Sequence, residues 1–246
     1  MKLQRLHIKG FRNINDLDLD LSDQEGLSIL IGNNGSGKSN ILEAIVAIFT
    51  SLYSKAKRFR LDFEYDIEYI LDEHKVEIKD SGKQNYVDGQ QITHRQLSNY
   101  LPKNIIATYS GETSRLEDKY FTPFRKSYVK KRISGSAITQ RMWFINKDLW
   151  NIALLSLFLH SFEEFSDIKD FCNGILEIRN IQSLSFSIAP RRLTLNNEAK
   201  QLLDAIVQSK GNNNPIILSF QEFKEIIATI HLTPKEAFQA LYIGYY

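Results

Sequence analysis

The 246 residues carry 31 Lys and Arg against 29 Asp and Glu, a net charge of +2, so any nucleic-acid contact must come from a local patch. With 43% hydrophobic and 24% charged residues, the composition excludes both a disordered chain and a membrane-embedded one. A single cysteine, Cys172, excludes an intramolecular disulfide; with no histidine pair at metal-ligand spacing, a reducing, cytoplasmic setting is the simplest reading.

The N-terminus alternates apolar and polar residues and lacks the apolar core of a signal peptide. The longest apolar run, Ile152 to Leu159, is interrupted by Ser156 and is far shorter than the ~20 residues that span a bilayer. No membrane span is expected.

In chain order, residues 2–9 predict a strand. "NDLDLDLS" sets Leu17, Leu19 and Leu21 against Asp16, Asp18 and Asp20 with period two, a half-exposed strand. Joined through residues 10–15, the two predict an antiparallel pair beside the next strand, the buried apolar run Leu27 to Ile31. A glycine-rich loop follows. After it, Ile41, Leu42, Ile45, Ile48, Phe49 and Leu52 recur at helical spacing. From Arg58 to Ile92, alternations broken by "DEH", "DSGK" and "DGQ" predict a meander of short strands.

Ile105 to Tyr109 predicts a core strand returning toward the loop. Beyond Ser127 the pattern turns helical: a helix from Trp143 to Phe165, a strand-like interval at 176–188, helices at about 196–209 and 219–231 separated by "KGNNNP", and a last helix. In that last helix Thr233 is the N-cap, Pro234 the first helical position and Glu236 closes a capping box, with Gly244 as the stop. No internal repeat interrupts the series. The expected division is a lobe with a β-meander at 1–125 and a mainly helical lobe or insertion at 126–246.

The loop holds the chemistry. Gly32, Gly35, Gly37, Lys38 and Ser39 satisfy the phosphate-loop pattern, a glycine, four residues, then Gly-Lys-Ser, and Asn33, Asn34 and Ser36 complete it. Glycines are needed because backbone N–H groups must wrap a phosphate in conformations that a Cβ forbids. The helix start adds the positive end of its dipole. Lys38 supplies a cation that reaches the terminal phosphates and stabilises their charge, Ser39 a hydroxyl for magnesium, and Asn40 lies in the first turn near the α-phosphate. The bland alternative is a glycine-rich turn capping an ordinary helix, but five matched positions and both flanking elements favour ATP with Mg2+.

Taken together, "IKGFRNINDLDLDLS" and "ILIGNNGSGKSNILEAI" resemble the head domains of ABC-type ATPases of the SMC, RecF and OLD kind, most closely the PtuA-like prokaryotic defence ATPases of the AAA family. Gly10, Phe11, Arg12 and Gly32 to Asn40 carry the likeness, which covers residues 1 to about 115 well and the remainder loosely. It implies an α/β fold class, a P-loop NTPase head lobe of ABC-ATPase type with an antiparallel β-subdomain, followed by a mainly helical segment. It also implies work in pairs, a homodimer or higher oligomer of heads with two ATP molecules held between them. Lys38 and Ser39 would then bind the β/γ-phosphates and magnesium. Arg12 would approach the nucleotide, its alternative being an exposed turn arginine.

The likeness has gaps. A family glutamine that contacts metal or water finds only Ser110 and Glu112 in "ATYSGE". The apolar strand ending in Asp-Glu, and the Ser-Gly-rich signature before it, are not evident after residue 115: Glu163 and Glu164 come too late and on a helix, and "LSFSIAPRR" ends in proline and arginines. Asp72 and Glu73 follow Tyr69, Ile70 and Leu71, yet strands on both sides read them as a hairpin turn. The missing motifs would come from a longer chain or from a partner.

"RKSYVKKR" gathers Arg125, Lys126, Lys130, Lys131 and Arg132 around Tyr128, and Lys55, Lys57, Arg58 and Arg60 form a second basic cluster; each is either a DNA or RNA contact or a solvated face. His7, His74, His94, His160 and His231 are scattered. The leading expectation is an ATP-binding head that dimerises on nucleotide in an anti-phage defence or DNA-maintenance complex. Its rivals are a self-sufficient P-loop NTPase or kinase, and a subunit that holds ATP without turnover and regulates a nuclease or other effector.

Overall fold

The computed structural model describes residues 1–23, 26–54, 59–108, 114–134, 139–159, 166–187, 197–211 and 213–245. The chain forms two compact units. The first comprises Met1–Ile105, Glu112–Pro123 and Arg141–Trp143; the second comprises Ile106–Gly111, Phe124–Gln140 and Phe144–Tyr246.

The first unit is a six-stranded antiparallel sheet with one long helix. Its strands are β1 (Lys2–Phe11), β2 (Ile14–Asp20), β3 (Glu64–Leu71), β4 (His74–Lys79), β5 (Gln84–Val87) and β6 (Gln90–Ile92), in the spatial order β2-β1-β3-β4-β5-β6. Period-two patterning gives the sheet one dry face. Leu6 and Ile8 of β1, Ile67 and Tyr69 of β3, and Val76 and Ile78 of β4 are wholly buried. The opposite face carries cross-strand charge pairs, among them Arg5–Asp18, Lys9–Glu64 and Lys75–Glu68.

Helix α1 (Lys38–Tyr53) supplies the rest of this core. Ala44, Ile48 and Phe49 are buried, and the Phe49 ring lies 5.9 Å from that of Tyr69. Each large side chain so buried stabilises the unit by roughly 1.5–3 kcal/mol. The Tyr69 hydroxyl donates to the carbonyl of Tyr100, and that of Tyr53 to Pro102, which fixes the chain after the short helix α2 (His94–Leu97).

Two expectations fail here. Leu27 to Ile31 forms no strand; Leu27, Ile29 and Ile31 are 73%, 71% and 92% exposed. Nor does the β1–β2 pair stand beside it. The neighbour of β1 on its far side is β3, so β1 is laddered along both edges and offers none to that segment. An apolar run becomes a buried strand only against a partner, and none of the described strands pairs with this one. The hairpin reading of Asp72 and Glu73 agrees with the structure: both adopt left-handed backbone, at φ 50° and 70°, in the tight turn between β3 and β4.

Three of the points at which the chain passes between units fall within β7 (Ile105–Ala107), helix α3 (Thr122–Ile133) and β8 (Met142–Phe144). β7 is short and its Ile106 is 67% exposed, so it is not the core strand expected at Ile105 to Tyr109; Tyr109 lies outside the described residues. The second unit continues with α4 (Lys147–Leu159), α5 (Ser166–Asp170), β9 (Ser183–Phe186), α6 (Asn197–Lys210), β10 (Ile216–Ser219), α7 (Phe220–Thr229) and α8 (Pro234–Tyr245). Leu149, Leu202, Ile206, Leu218, Phe223, Ala237, Tyr242 and Ile243 form its core.

The helix expected from Trp143 starts instead at Lys147, because Met142 to Phe144 extend as β8 and the Asn146 side chain accepts the Leu149 N–H at 2.9 Å. Its expected end at Phe165 lies outside the described residues. The strand-like interval 176–188 narrows to β9, whose partner β10 follows the "KGNNNP" loop. The last helix carries the foreseen cap: the Thr233 N–H and hydroxyl donate to Glu236 at 2.9 and 2.7 Å. It runs through Gly244 to Tyr245. Among the described residues, no helix is long and apolar enough to cross a membrane.

Candidate nucleotide-binding site

The loop Gly32 to Ser39 leads from the exposed apolar segment into the first turn of α1. Gly37 is the N-cap at φ 96°, and Gly35 stands at φ 84°, both left-handed conformations that a side chain would strain. Space adds a second constraint. A Cβ on Gly37 would come 3.2 Å from Asn13 Oδ1, and one on Gly32 would come 2.9 Å from Ser36 Oγ. A turn closes the loop from the Ser36 N–H to the Asn33 carbonyl at 3.2 Å.

Lys38 points into this ring. Its ammonium donates to the carbonyls of Gly32 at 2.5 Å and Asn33 at 2.7 Å, and lies 3.4 Å from Ser36 Oγ. Helix α1 has no side-chain cap, and its first N–H groups have no intrahelical acceptor. Ser39 is exposed beside them. Backbone donors, a cation within reach and a free-standing hydroxyl are the donor set that a polyphosphate and its magnesium ion require, and the residues present fit that group.

The β1–β2 hairpin braces the loop. Asn13 Nδ2 donates to the Gly35 carbonyl at 3.1 Å, and Asn13 Oδ1 accepts from Asn40 Nδ2 at 2.6 Å. The preceding residue, Arg12, has left-handed backbone at φ 55° and extends its guanidinium to Glu43 of α1 at 2.6 Å. It is therefore neither a bare turn arginine nor directly bonded to the loop. Glu43 is 2% exposed and is also met by Arg115 and by the Tyr120 hydroxyl. Burial first, then the charge of Glu43, pushes the Tyr120 phenol well above its ordinary value, so it remains a donor.

Asn13, Glu43, Arg115 and Tyr120 escaped the sequence reading. Asn13 directly follows the "GFR" turn, and Glu43 lies four residues beyond Ser39, so helical spacing alone puts Ser39 and Glu43 on one face of α1. Nothing comparable marks Arg115 or Tyr120, which reach the site only through the fold. Of the other candidates, Ser110, Glu112, Lys55, Lys57, Arg58, His160, Glu163 and Glu164 lie outside the described residues. Tyr128 is 4% exposed, which removes it as a stacking ring for nucleic acid, and Arg132 donates to Glu198 at 2.7 Å. Lys126, Lys130 and Lys131 remain exposed on α3.

A glycine loop of this geometry at the head of a helix defines a class, the P-loop nucleotide-binding proteins. Within that class the chain belongs to the AAA ATPase domain family, whose model it matches over residues 1–238. The DNA replication and repair protein RecF of Streptococcus uberis is 28% identical over 214 residues, covering 86% of this chain and 51% of that protein. That of Desulfitobacterium hafniense is 31% identical over 115 residues, covering 41% and 30%. The chain thus spans between about a third and a half of the length of these relatives. A solved chain from work on ATP-driven dimerisation and DNA-stimulated activation of SMC ATPases is 17% identical, covering 40% of this chain and 76% of that one, at a TM-score of 0.26.

Proposed function

We propose that this chain binds Mg-ATP through Gly32 to Asn40 and acts as the nucleotide-holding lobe of an SMC/RecF-like ATPase head. The observation that carries this reading is the position of Lys38, whose ammonium sits inside the loop on two carbonyls that a phosphate would replace. On binding, that ammonium moves to phosphate oxygens, the N–H groups of the first turn of α1 take up the remaining ones, and Ser39 supplies a metal ligand. When bound, magnesium would be held by Ser39 and would offset the charge of the terminal phosphates. Asn13 keeps the loop in shape, and Arg12 approaches from the hairpin.

The head works with a second copy, joined when ATP is held between the two, in a cytoplasmic anti-phage defence or DNA-maintenance complex of the PtuA or RecF kind. Support comes from the "GFR" turn and loop, and from relatives whose names place them in DNA replication and repair. Turnover needs an acidic strand end and a signature that residues 1–246 do not evidently contain, and these come from a further segment or a partner. Light scattering with and without Mg-ATP tests the pairing. A doubled mass with ATP that Lys38→Ala abolishes is the expected result, and one mass under all conditions would refute it.

A further inference from the structure

Glu43 lies one helical turn beyond Ser39, about 6 Å along the axis of α1 and on the same face. Its side chain is 2% exposed, and its neighbours Ala44, Val46, Ala47 and Ile48 are buried too. A carboxylate there is costly unless its charge is compensated. Compensation is more than complete. One oxygen accepts from Arg12 at 2.6 Å and from the Tyr120 hydroxyl at 3.2 Å, and the other pairs with Arg115 at 2.8 Å. Two guanidiniums on one carboxylate leave a net charge of +1, so either arginine alone would neutralise it.

The two arginines are held differently. Arg12 belongs to the turn whose next residue, Asn13, is bonded to the loop at Gly35 and to Asn40 in the first turn of α1, so its backbone is tied to the loop. Arg115 belongs to the segment that leads into Tyr120, and its side chain is 48% exposed. We propose that Glu43 is a positioning residue carrying an exchangeable arginine pair: Arg12 transfers to phosphate when Mg-ATP occupies the loop, and Arg115 stays behind to neutralise Glu43. The exchange rests on the loop holding Mg-ATP. Its consequence is that Arg115 sets nucleotide affinity without touching nucleotide, because it frees Arg12 from its buried counter-ion.

Titration of Mg-ATP into the full chain and four variants tests this. Arg115→Ala leaves Arg12 as the only cation on Glu43 and is expected to weaken ATP binding on the order of tenfold. Glu43→Gln removes the charge that Arg115 neutralises, so adding Arg115→Ala to it brings no loss beyond that of Glu43→Gln alone. Arg115→Lys, which keeps the charge, binds within about threefold of the parent. An unchanged affinity in Arg115→Ala, or a loss from Arg115→Ala that persists beside Glu43→Gln, overturns the exchange. Lys38→Ala separates the two readings: if it binds ATP as well as the parent, the loop assignment falls and the exchange with it, whereas lost binding in Lys38→Ala beside any of the refuting arginine results overturns the exchange alone.

Discussion

Asn13 shows how one side chain can brace a glycine-rich loop that it never enters. Its amide bonds Gly35 on one side and Asn40 on the other, so it fixes the loop to the first turn of α1. Because Asn13 is exposed, Asn13→Ala removes both bonds at little cost to the fold, about 1 kcal/mol or less. The expected outcome is an ATP affinity several-fold weaker with a nearly unchanged melting temperature, measured by calorimetric titration and thermal unfolding. Glu43→Ala should do the reverse in stability. Removing the shared acceptor leaves Arg12, Arg115 and Tyr120 without it, and a loss of about 2 kcal/mol in urea unfolding is expected. The sequence displayed Lys38 and Ser39 because their spacing is fixed by chemistry along one short loop. Arg115 and Tyr120 lie more than seventy residues from Glu43, and no local pattern announces a partnership made by tertiary packing.

Among the elements, helices were legible at their caps and strands only where they had room to alternate. The capping box of α8 was readable from Thr233 and Glu236, and that of α7, between Ser219 and Glu222, has the same form. The four-residue strand β10 was missed because an apolar run that short has no period to read. These caps make stability depend on acid. Lys210 first, then the N–H and hydroxyl of Ser219, lower the Glu222 carboxyl from an ordinary 4.5 to about 2, and the Thr233 N–H and hydroxyl lower that of Glu236. A carboxyl whose pKa falls on folding contributes stability above about pH 4.5 and loses it as pH drops toward the folded value. Urea midpoints should therefore fall between pH 5 and pH 2.5, and Glu222→Gln should flatten that fall. Ser219→Ala should cost about 1 kcal/mol at pH 7.

For the whole molecule, the strands of the antiparallel sheet were foreseen as a hairpin and a meander, but their joining through β1 and β3 was not, nor was the state of the segment feeding the loop. Leu27, Ile29 and Ile31 have the composition of a buried strand and are the most exposed large apolar side chains of the first unit. Composition reports what a segment is suited to, and packing depends on which partners are present. Ile29→Ser should accordingly change the melting free energy of this chain by no more than about 0.5 kcal/mol. Placing a phosphate loop on a chain without an evident acidic strand end predicts separation of binding from turnover. The most direct measurement follows ATP binding and phosphate release together in one preparation of the chain and of Lys38→Ala. Saturable Mg-dependent binding, weakened at least about tenfold by Lys38→Ala, with no release that depends on Lys38, is the expected result. Equal ATP affinity in the two proteins would contradict the assignment of the loop, and Lys38-dependent release by the chain alone would contradict its need for a partner.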